Sequence, residues 1–143
     1  MASGTYTLIV ELGAPKRIEV GALGTHDFEP GWYAYTGTAF GPGGFKRIDR
    51  HRDVAAGRNG VRHWHVDYLL GDEQARIDGV CRSQDVDAEC RISGAIDGRH
   101  VPGFGASDCD CDSHLVYNSS REPLLSSLRS VHEGCSVDSD GNG

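Results

Sequence analysis

The sequence predicts an α+β fold in which a small three-stranded antiparallel sheet, flanked by helices, is followed by a C-terminal strand and helix. Three segments rich in β-branched and aromatic residues occupy residues 5–12, 17–23 and 31–37, and helical patterns follow them. A length of 143 residues is typical of one compact domain. We therefore assign residues 1–133 to a single domain and residues 134–143 to a disordered tail.

Turn residues separate the three predicted strands. TYTLIVEL, the first strand, ends at Gly13 and Pro15, which favour a turn. RIEVGAL is the second strand and GWYAYTG is the third. HDFEPG lies between them at residues 26–31 and is predicted to be a loop.

Helical spacing begins after a glycine-rich loop. In residues 44–57, Phe45, Ile48 and Val54 fall near one helical face, and Gly57 marks the end of a short amphipathic helix. Residues 61–71 are predicted to form a second helix, because Trp64, Tyr68 and Leu69 would lie along one helical face; a strand is the alternative. The C-terminal half predicts a strand at 76–83, a helix opened by an Asp cap at 85–96, a turn-rich stretch at 100–114, a strand at 113–118, and a helix at 121–134.

The charge distribution favours an anionic partner for the first half of the chain. The whole chain carries a net charge of −7, but residues 1–71 hold eight basic and seven acidic side chains. Almost all basic residues are arginines, and the acidic excess is typical of adaptation to high salt. No segment has the apolar length of a membrane span or the pattern of a signal peptide, so we expect a soluble, cytoplasmic protein without a membrane partner.

The five cysteines favour reduced thiols or a metal site over a disulfide framework, because their number is odd and no secretory signal is present. Cys109, Cys111 and His114, together with Cys90, have the ligand types of a Cys₃His structural zinc site. The alternative is a turn in which reduced cysteines pack as small apolar side chains.

A basic cluster at residues 46–51 is the strongest sign of an anion-binding site. On a helix, Arg47 and His51 project from the same face and Arg50 lies beside Arg47. A guanidinium binds two phosphate oxygens at once, and an imidazole transfers protons near neutral pH. The preceding loop lacks the Lys-Ser/Thr ending of a nucleotide-binding P-loop. A solvated charged face is the alternative.

An ordered series of motifs resembles the GIY-YIG endonuclease superfamily. The series comprises G-T-Y at residues 4–6, Y-T-G at 35–37, R-x-x-R-H at 47–51, W-H-x-D-Y-L at 64–69 and F-G-x-S-D-C-x-C-x-S-H-L at 104–115. The fuller series looks like the Uri-type branch, which is known mainly from archaea. Threonine replaces isoleucine in both tripeptides, and an insertion around residues 24–31 lengthens the spacing between the two tyrosines.

The resemblance implies a magnesium-dependent endonuclease that hydrolyses phosphodiester bonds, with DNA favoured over RNA. We expect single-stranded or distorted DNA in repair as the substrate, because counterion release adds little affinity in concentrated salt and stacking must then contribute more. Tyr6 and Tyr35 would converge, and one would act as or assist the general base. Arg47 would stabilise the charge that develops on the phosphate, and His51 would orient or transfer a proton. Because an ordinary phenol has a pKa of about 10, such a base needs a neighbour that stabilises its anion.

The same resemblance implies one glutamate that binds a divalent ion. Glu89 is the candidate for Mg²⁺, or Mn²⁺, and Glu73 is the fallback. We expect Lys46, Arg50 and His65 to bind substrate. His63, His65 and Asp67 also form an H-W-H-V-D run that has metal-ligand types, although we favour a supporting role.

Two other functions stay open from the sequence. A catalytically silent nucleic-acid-binding module would use the same arginines, and a small zinc-stabilised interaction domain would use the cysteine cluster. Metal-dependent cleavage and metal analysis of the purified protein distinguish them from an endonuclease.

Overall fold

The computed structural model describes residues 4–20, 24–38, 45–57, 65–72, 74–84, 89–101, 114–132 and 134–137. In chain order the elements are β1 (Gly4–Leu12), β2 (Lys16–Glu19), β3 (Thr25–Phe28), β4 (Gly31–Thr38), α1 (Lys46–Ala55), α2 (His65–Leu70), β5 (Ala75–Gln84), α3 (Glu89–Ala95), β6 (Arg99–His100), β7 (Leu115–Asn118), α4 (Arg121–Val131) and β8 (Gly134–Val137). No helix among these described elements has the length and apolar content to cross a membrane.

The α+β class is confirmed, but the sheet is larger than the predicted three strands. Six strands form one sheet in the order β6-β7-β4-β1-β5-β8, and β2 pairs with β3 in a separate hairpin. All neighbouring strands run antiparallel. The second predicted strand therefore does not join the main sheet, and the segment predicted as a loop at residues 26–31 contains most of β3 instead. This hairpin lies between β1 and β4 in the chain.

β1 lies at the centre of the sheet and is covered on both faces, so that eight of its nine residues are buried. Leu8 and Val10 belong to a buried cluster with residues of α1 and α2. Ile9 points to the other face, where Leu125 and Leu128 of α4 cover it. Each such aliphatic side chain contributes about 1.5–3 kcal/mol when it is fully buried.

A β-bulge in β5 helps to fasten α4 to the sheet. The register of β1 against β5 shifts between Ile9 and Val10, which leaves Asp78 as the extra residue. The Asp78 side chain is buried, and Arg121 at the start of α4 donates to its Oδ2 from Nε over 3.0 Å. The guanidinium of Arg121 also lies 5.6 Å from the ring centre of Trp32. Arg121 therefore bridges the helix and two strands.

The C-terminus contains a strand where the sequence predicted a disordered tail. Residues 134–137 form β8 beside β5, while residues 138–143 lie outside the described part of the chain. Buried His132 anchors the approach to β8, because Nε2 lies 2.7 Å from the hydroxyl of Thr7 and Nδ1 lies 3.0 Å from that of Ser83. Local composition predicted disorder, but these tertiary contacts determine the structure.

A disulfide joins the same two strands. Cys81 of β5 and Cys135 of β8 face each other in register and are covalently bonded. The prediction that thiols stay reduced is therefore wrong for this pair. Pairing of residues 54 positions apart brings the two sulfurs together, and cysteine spacing alone does not reveal such long-range pairing.

Candidate functional site

The arrangement of α1 explains why His51 points inward. Ile48, His51 and Val54 recur every three residues and are all buried, so they form the core-facing stripe of the helix. Lys46 and Arg52 lie on the exposed side. His51 thereby reaches the sheet, where its Nε2 lies 2.8 Å from the hydroxyl oxygen of Tyr6 in a buried hydrogen bond.

Tyr35 is a second aromatic side chain that contacts His51. The Tyr35 ring meets the imidazole edge-on with 6.2 Å between ring centres, and the Tyr6 ring lies 5.7 Å away from the imidazole. The expectation that the two tyrosines of the signature tripeptides converge agrees with this geometry. Both contact one histidine.

Gly37 makes room for the Tyr6 phenol. Tyr6 and Gly37 are directly opposite each other in the β1–β4 ladder. A Cβ at Gly37 would lie 2.7 Å from the Tyr6 hydroxyl oxygen and 2.8 Å from its Cζ, closer than real Cβ atoms approach. The Y-T-G motif therefore ends in glycine for a steric reason, because the absent side chain leaves the space that the Tyr6 phenol fills.

A buried carboxylate lies behind His51. Asp67 of α2 has no exposed side-chain surface, and Arg50 donates to both of its oxygens, over 3.1 Å from Nη1 and 2.9 Å from Nη2. Its Oδ1 also lies 3.9 Å from Nδ1 of His51. Because the carboxylate is on the Nδ1 side, it favours the tautomer that is protonated there and leaves Nε2 to accept from Tyr6. We refer to Tyr6, Tyr35, Arg50, His51 and Asp67 as the Tyr6–His51 site.

Comparison with known proteins assigns the family. The chain belongs to the family described as Domain of unknown function DUF123. The family model matches residues 5–137, from the second residue of β1 to the last residue of β8. No curated protein and no solved structure gives a match. The matched region thus includes all six strands of the main sheet except Gly4 at the start of β1. It contains β8, which lies in the segment predicted from the sequence to be a disordered tail.

The predicted site residues divide into those the structure brings together and those it does not describe. Tyr6, Tyr35 and His51 meet, and Lys46 lies exposed at the start of α1. We expected Arg50 to bind substrate. Its guanidinium instead binds Asp67 inside the fold. The side chains of the remaining members lie outside the described residues, so their roles stay predictions: Arg47, His65 and Glu89, with His63 and Glu73.

The described residues do not by themselves form a magnesium site. No group of three or more His, Cys, Asp or Glu side chains lies together within the described ranges. Asp67 is the carboxylate behind His51, and both of its oxygens already accept from Arg50. We therefore derive no step through a metal ion. Binding of Mg²⁺ or Mn²⁺ by Glu89 stays a prediction.

The zinc prediction also falls largely outside the described residues. Cys109, Cys111 and the side chain of Cys90 are not described. His114 is described and buried, and its backbone oxygen accepts from the backbone nitrogen of Thr36 at 2.9 Å. The Cys₃His site therefore stays a prediction.

Sequence reasoning missed the main role of Asp67. The signal was a single acidic residue in V-D-Y-L-L, a segment whose valine and leucines are buried. A carboxylate among buried side chains needs a cationic partner, because desolvation of an unpaired charge is costly. Arg50 provides that charge from a helix 17 residues earlier in the chain.

Proposed function

We propose that this chain is an endonuclease that hydrolyses phosphodiester bonds in DNA with Mg²⁺, acting on single-stranded or distorted repair intermediates. The observation that carries the proposal is the buried hydrogen bond between Tyr6 and His51, 2.8 Å long, with Asp67 on the far side of the imidazole. The sequence resemblance to GIY-YIG endonucleases supports the same assignment, because it depends on the motifs that contain Tyr6, Tyr35 and His51.

The chemistry follows from the order of the three side chains. His51 protonated at Nδ1 accepts the Tyr6 proton at Nε2, so that the phenol oxygen takes a proton from the attacking water. The imidazolium that forms faces the Asp67 carboxylate, 3.9 Å from Nδ1, whose charge offsets part of the new positive charge although Arg50 also binds it. The water oxygen bonds to phosphorus, and the bond from phosphorus to the leaving oxygen breaks. The leaving oxygen keeps the electron pair of that bond and takes a proton from solvent. This relay answers the difficulty that a phenol with a pKa of about 10 is a poor base on its own.

A second candidate is a nucleic-acid-binding module without turnover. Burial of the pair favours it, because Tyr6 retains 3% exposure and His51 retains none. A buried phenol and imidazole are also what a purely structural hydrogen bond would require. Cleavage by the wild-type protein separates the two candidates.

The test is a nicking assay on labelled single-stranded, duplex and flapped DNA and on RNA, with Mg²⁺, Mn²⁺ or a chelator. We expect Tyr6→Phe, which keeps the ring and removes the hydroxyl, to lower the rate by about 10²-fold or more. Tyr117→Phe is the matched control, because it removes an exposed phenol that donates to the backbone of Pro30. Circular dichroism checks that both variants fold.

The outcomes are distinct. Loss of nicking in Tyr6→Phe, Arg47→Ala and Glu89→Ala, with activity retained in Tyr117→Phe, supports the endonuclease. Full activity of Tyr6→Phe would overturn the assigned chemistry. Binding of DNA by a wild-type protein that never cuts would favour the silent module.

A further inference from the structure

Arg82 lies next to Tyr6 although no sequence motif points to it. The two residues are directly opposite each other in the β1–β5 ladder. Cross-strand neighbours project from the same face with Cβ atoms about 4.5–5.5 Å apart. Arg82 is exposed, whereas Cys81 and Ser83 on either side of it are buried. Its guanidinium is therefore available to solvent at the sheet face that carries Tyr6.

Arg82 differs from most arginines of the described chain in having no carboxylate within ion-pair distance among the described residues. Five others are paired: Arg17 with Asp27, Arg50 with Asp67, Arg76 with Glu11, Arg99 with Glu29, and Arg121 with Asp78. The described contact of Arg82 is with an aromatic ring, since its guanidinium carbon lies 5.8 Å from the ring centre of Phe45. A cation held by a ring keeps its hydrogen-bond donors free for an anion.

Phe45 and Lys46 extend this surface. Phe45 is half-buried against the core cluster that contains Tyr6, and Lys46 follows it with an exposed side chain. The surface thus combines an aromatic ring with two cations. Guanidinium binds two phosphate oxygens at once, ammonium adds a second positive charge, and an aromatic face stacks on an unpaired base.

We propose that Arg82, Phe45 and Lys46 form a subsite that binds a backbone phosphate of a nucleic-acid strand beside the phosphodiester presented to Tyr6. The subsite rests on the proposed function. We expected Arg50 to make this phosphate contact, but Asp67 holds Arg50 inside the fold. Arg82 makes the contact instead. An unpaired strand fits best, since its bases are free to stack on Phe45.

The experiment measures binding apart from cleavage. Fluorescence anisotropy of a labelled single-stranded oligonucleotide is followed over a salt series in the presence of a chelator. We expect Arg82→Gln to weaken binding by about ten- to a hundredfold. We also expect the slope of log affinity against log salt to become shallower by about 0.7, the value for one phosphate contact on a single strand.

Arg129→Gln is the matched control. Arg129 is also exposed and also lacks a carboxylate partner among the described residues, but it lies on α4, which covers the opposite face of the sheet. This variant makes the same change in net charge and should leave both affinity and slope unchanged.

The possible results separate the subsite from the proposed function. If Arg82→Gln binds the oligonucleotide with the wild-type affinity and salt slope, the subsite is overturned and the proposed endonuclease function is unaffected. A wild-type protein that binds no form of nucleic acid overturns both. Should Arg82→Gln fail to fold, Lys46→Gln must show the reduced slope, and Arg82→Lys must keep the wild-type slope while it loses affinity; any other pattern overturns the subsite.

Discussion

Gly37→Ala is a direct steric test of the Tyr6–His51 site. The added Cβ would lie 2.7 Å from the Tyr6 hydroxyl oxygen and 3.3 Å from Cε2 of Tyr35. The backbone at Gly37 is not in the left-handed region, so alanine introduces no backbone strain of its own. The phenol ring is rigid and packed in the core, and it must move to relieve the contact.

The expected magnitude combines two opposing terms. Overpacking of a buried site costs about 1–3 kcal/mol, and replacement of glycine by alanine at a compatible backbone returns about 0.4–1 kcal/mol through the unfolded state. We therefore expect a net loss of about 1–2 kcal/mol in the free energy of unfolding. Displacement of Tyr6 from His51 should also lower any nicking rate by about 10²-fold.

The assay is guanidinium unfolding followed by tryptophan fluorescence, with nicking measured on the same preparations. Gly94→Ala is the control, because a Cβ there meets nothing within 4 Å and Gly94 lies within α3. Alanine in a helix is favoured over glycine by about 0.5–1 kcal/mol, so this variant should be more stable than the wild type. A Gly37→Ala protein with wild-type stability and activity would refute the steric role of Gly37.

Two further predictions concern the rest of the fold. Reduction of the Cys81–Cys135 disulfide, which spans 54 positions, should lower the free energy of unfolding by about 4 kcal/mol, measured by denaturant unfolding with and without reductant; an unchanged midpoint contradicts it. Burial raises the pKa of the Tyr33 phenol well above its ordinary value of about 10, so the native state loses stability as pH rises from that value toward the raised pKa. Alkaline unfolding should be less steep in Tyr33→Phe than in the wild type, and equal steepness would contradict the prediction.

Local patterns predicted the elements that carry the site, but not how the sheet is completed. β1, β4, α1 and β5 follow from β-branched runs, turn residues and helical spacing within single segments. β7 and β8 join the sheet through pairings with strands far away in the chain, which no local pattern specifies. β3 was missed because three consecutive residues of T-H-D-F are polar, and the strand pairs only within a two-stranded hairpin outside the main sheet.

The site was predictable where one helix or one ladder holds the residues. The tripeptides indicated Tyr6 and Tyr35, and R-x-x-R-H indicated His51. The motif placed His51 on a basic face with Arg47, whereas the structure places it on the buried stripe of α1. The partner of Arg50 was not predictable, because it comes from α2. Arg82 was missed for a related reason: V-C-R-S predicts a strand, but only the register against β1 shows that Arg82 neighbours Tyr6.

The acidic chain and the proposed anionic substrate are compatible because the relevant charges are local. A net charge of −7 describes the whole chain, whereas charges separated by more than about 8 Å are largely screened at physiological ionic strength. Asp67 cancels much of the charge of Arg50 inside the fold, so the described cations left to attract a phosphate beside Tyr6 are Arg82 and Lys46. With so few contacts, counterion release contributes little affinity, and stacking must supply a larger share. The protein should therefore bind unpaired strands with a shallow dependence on salt.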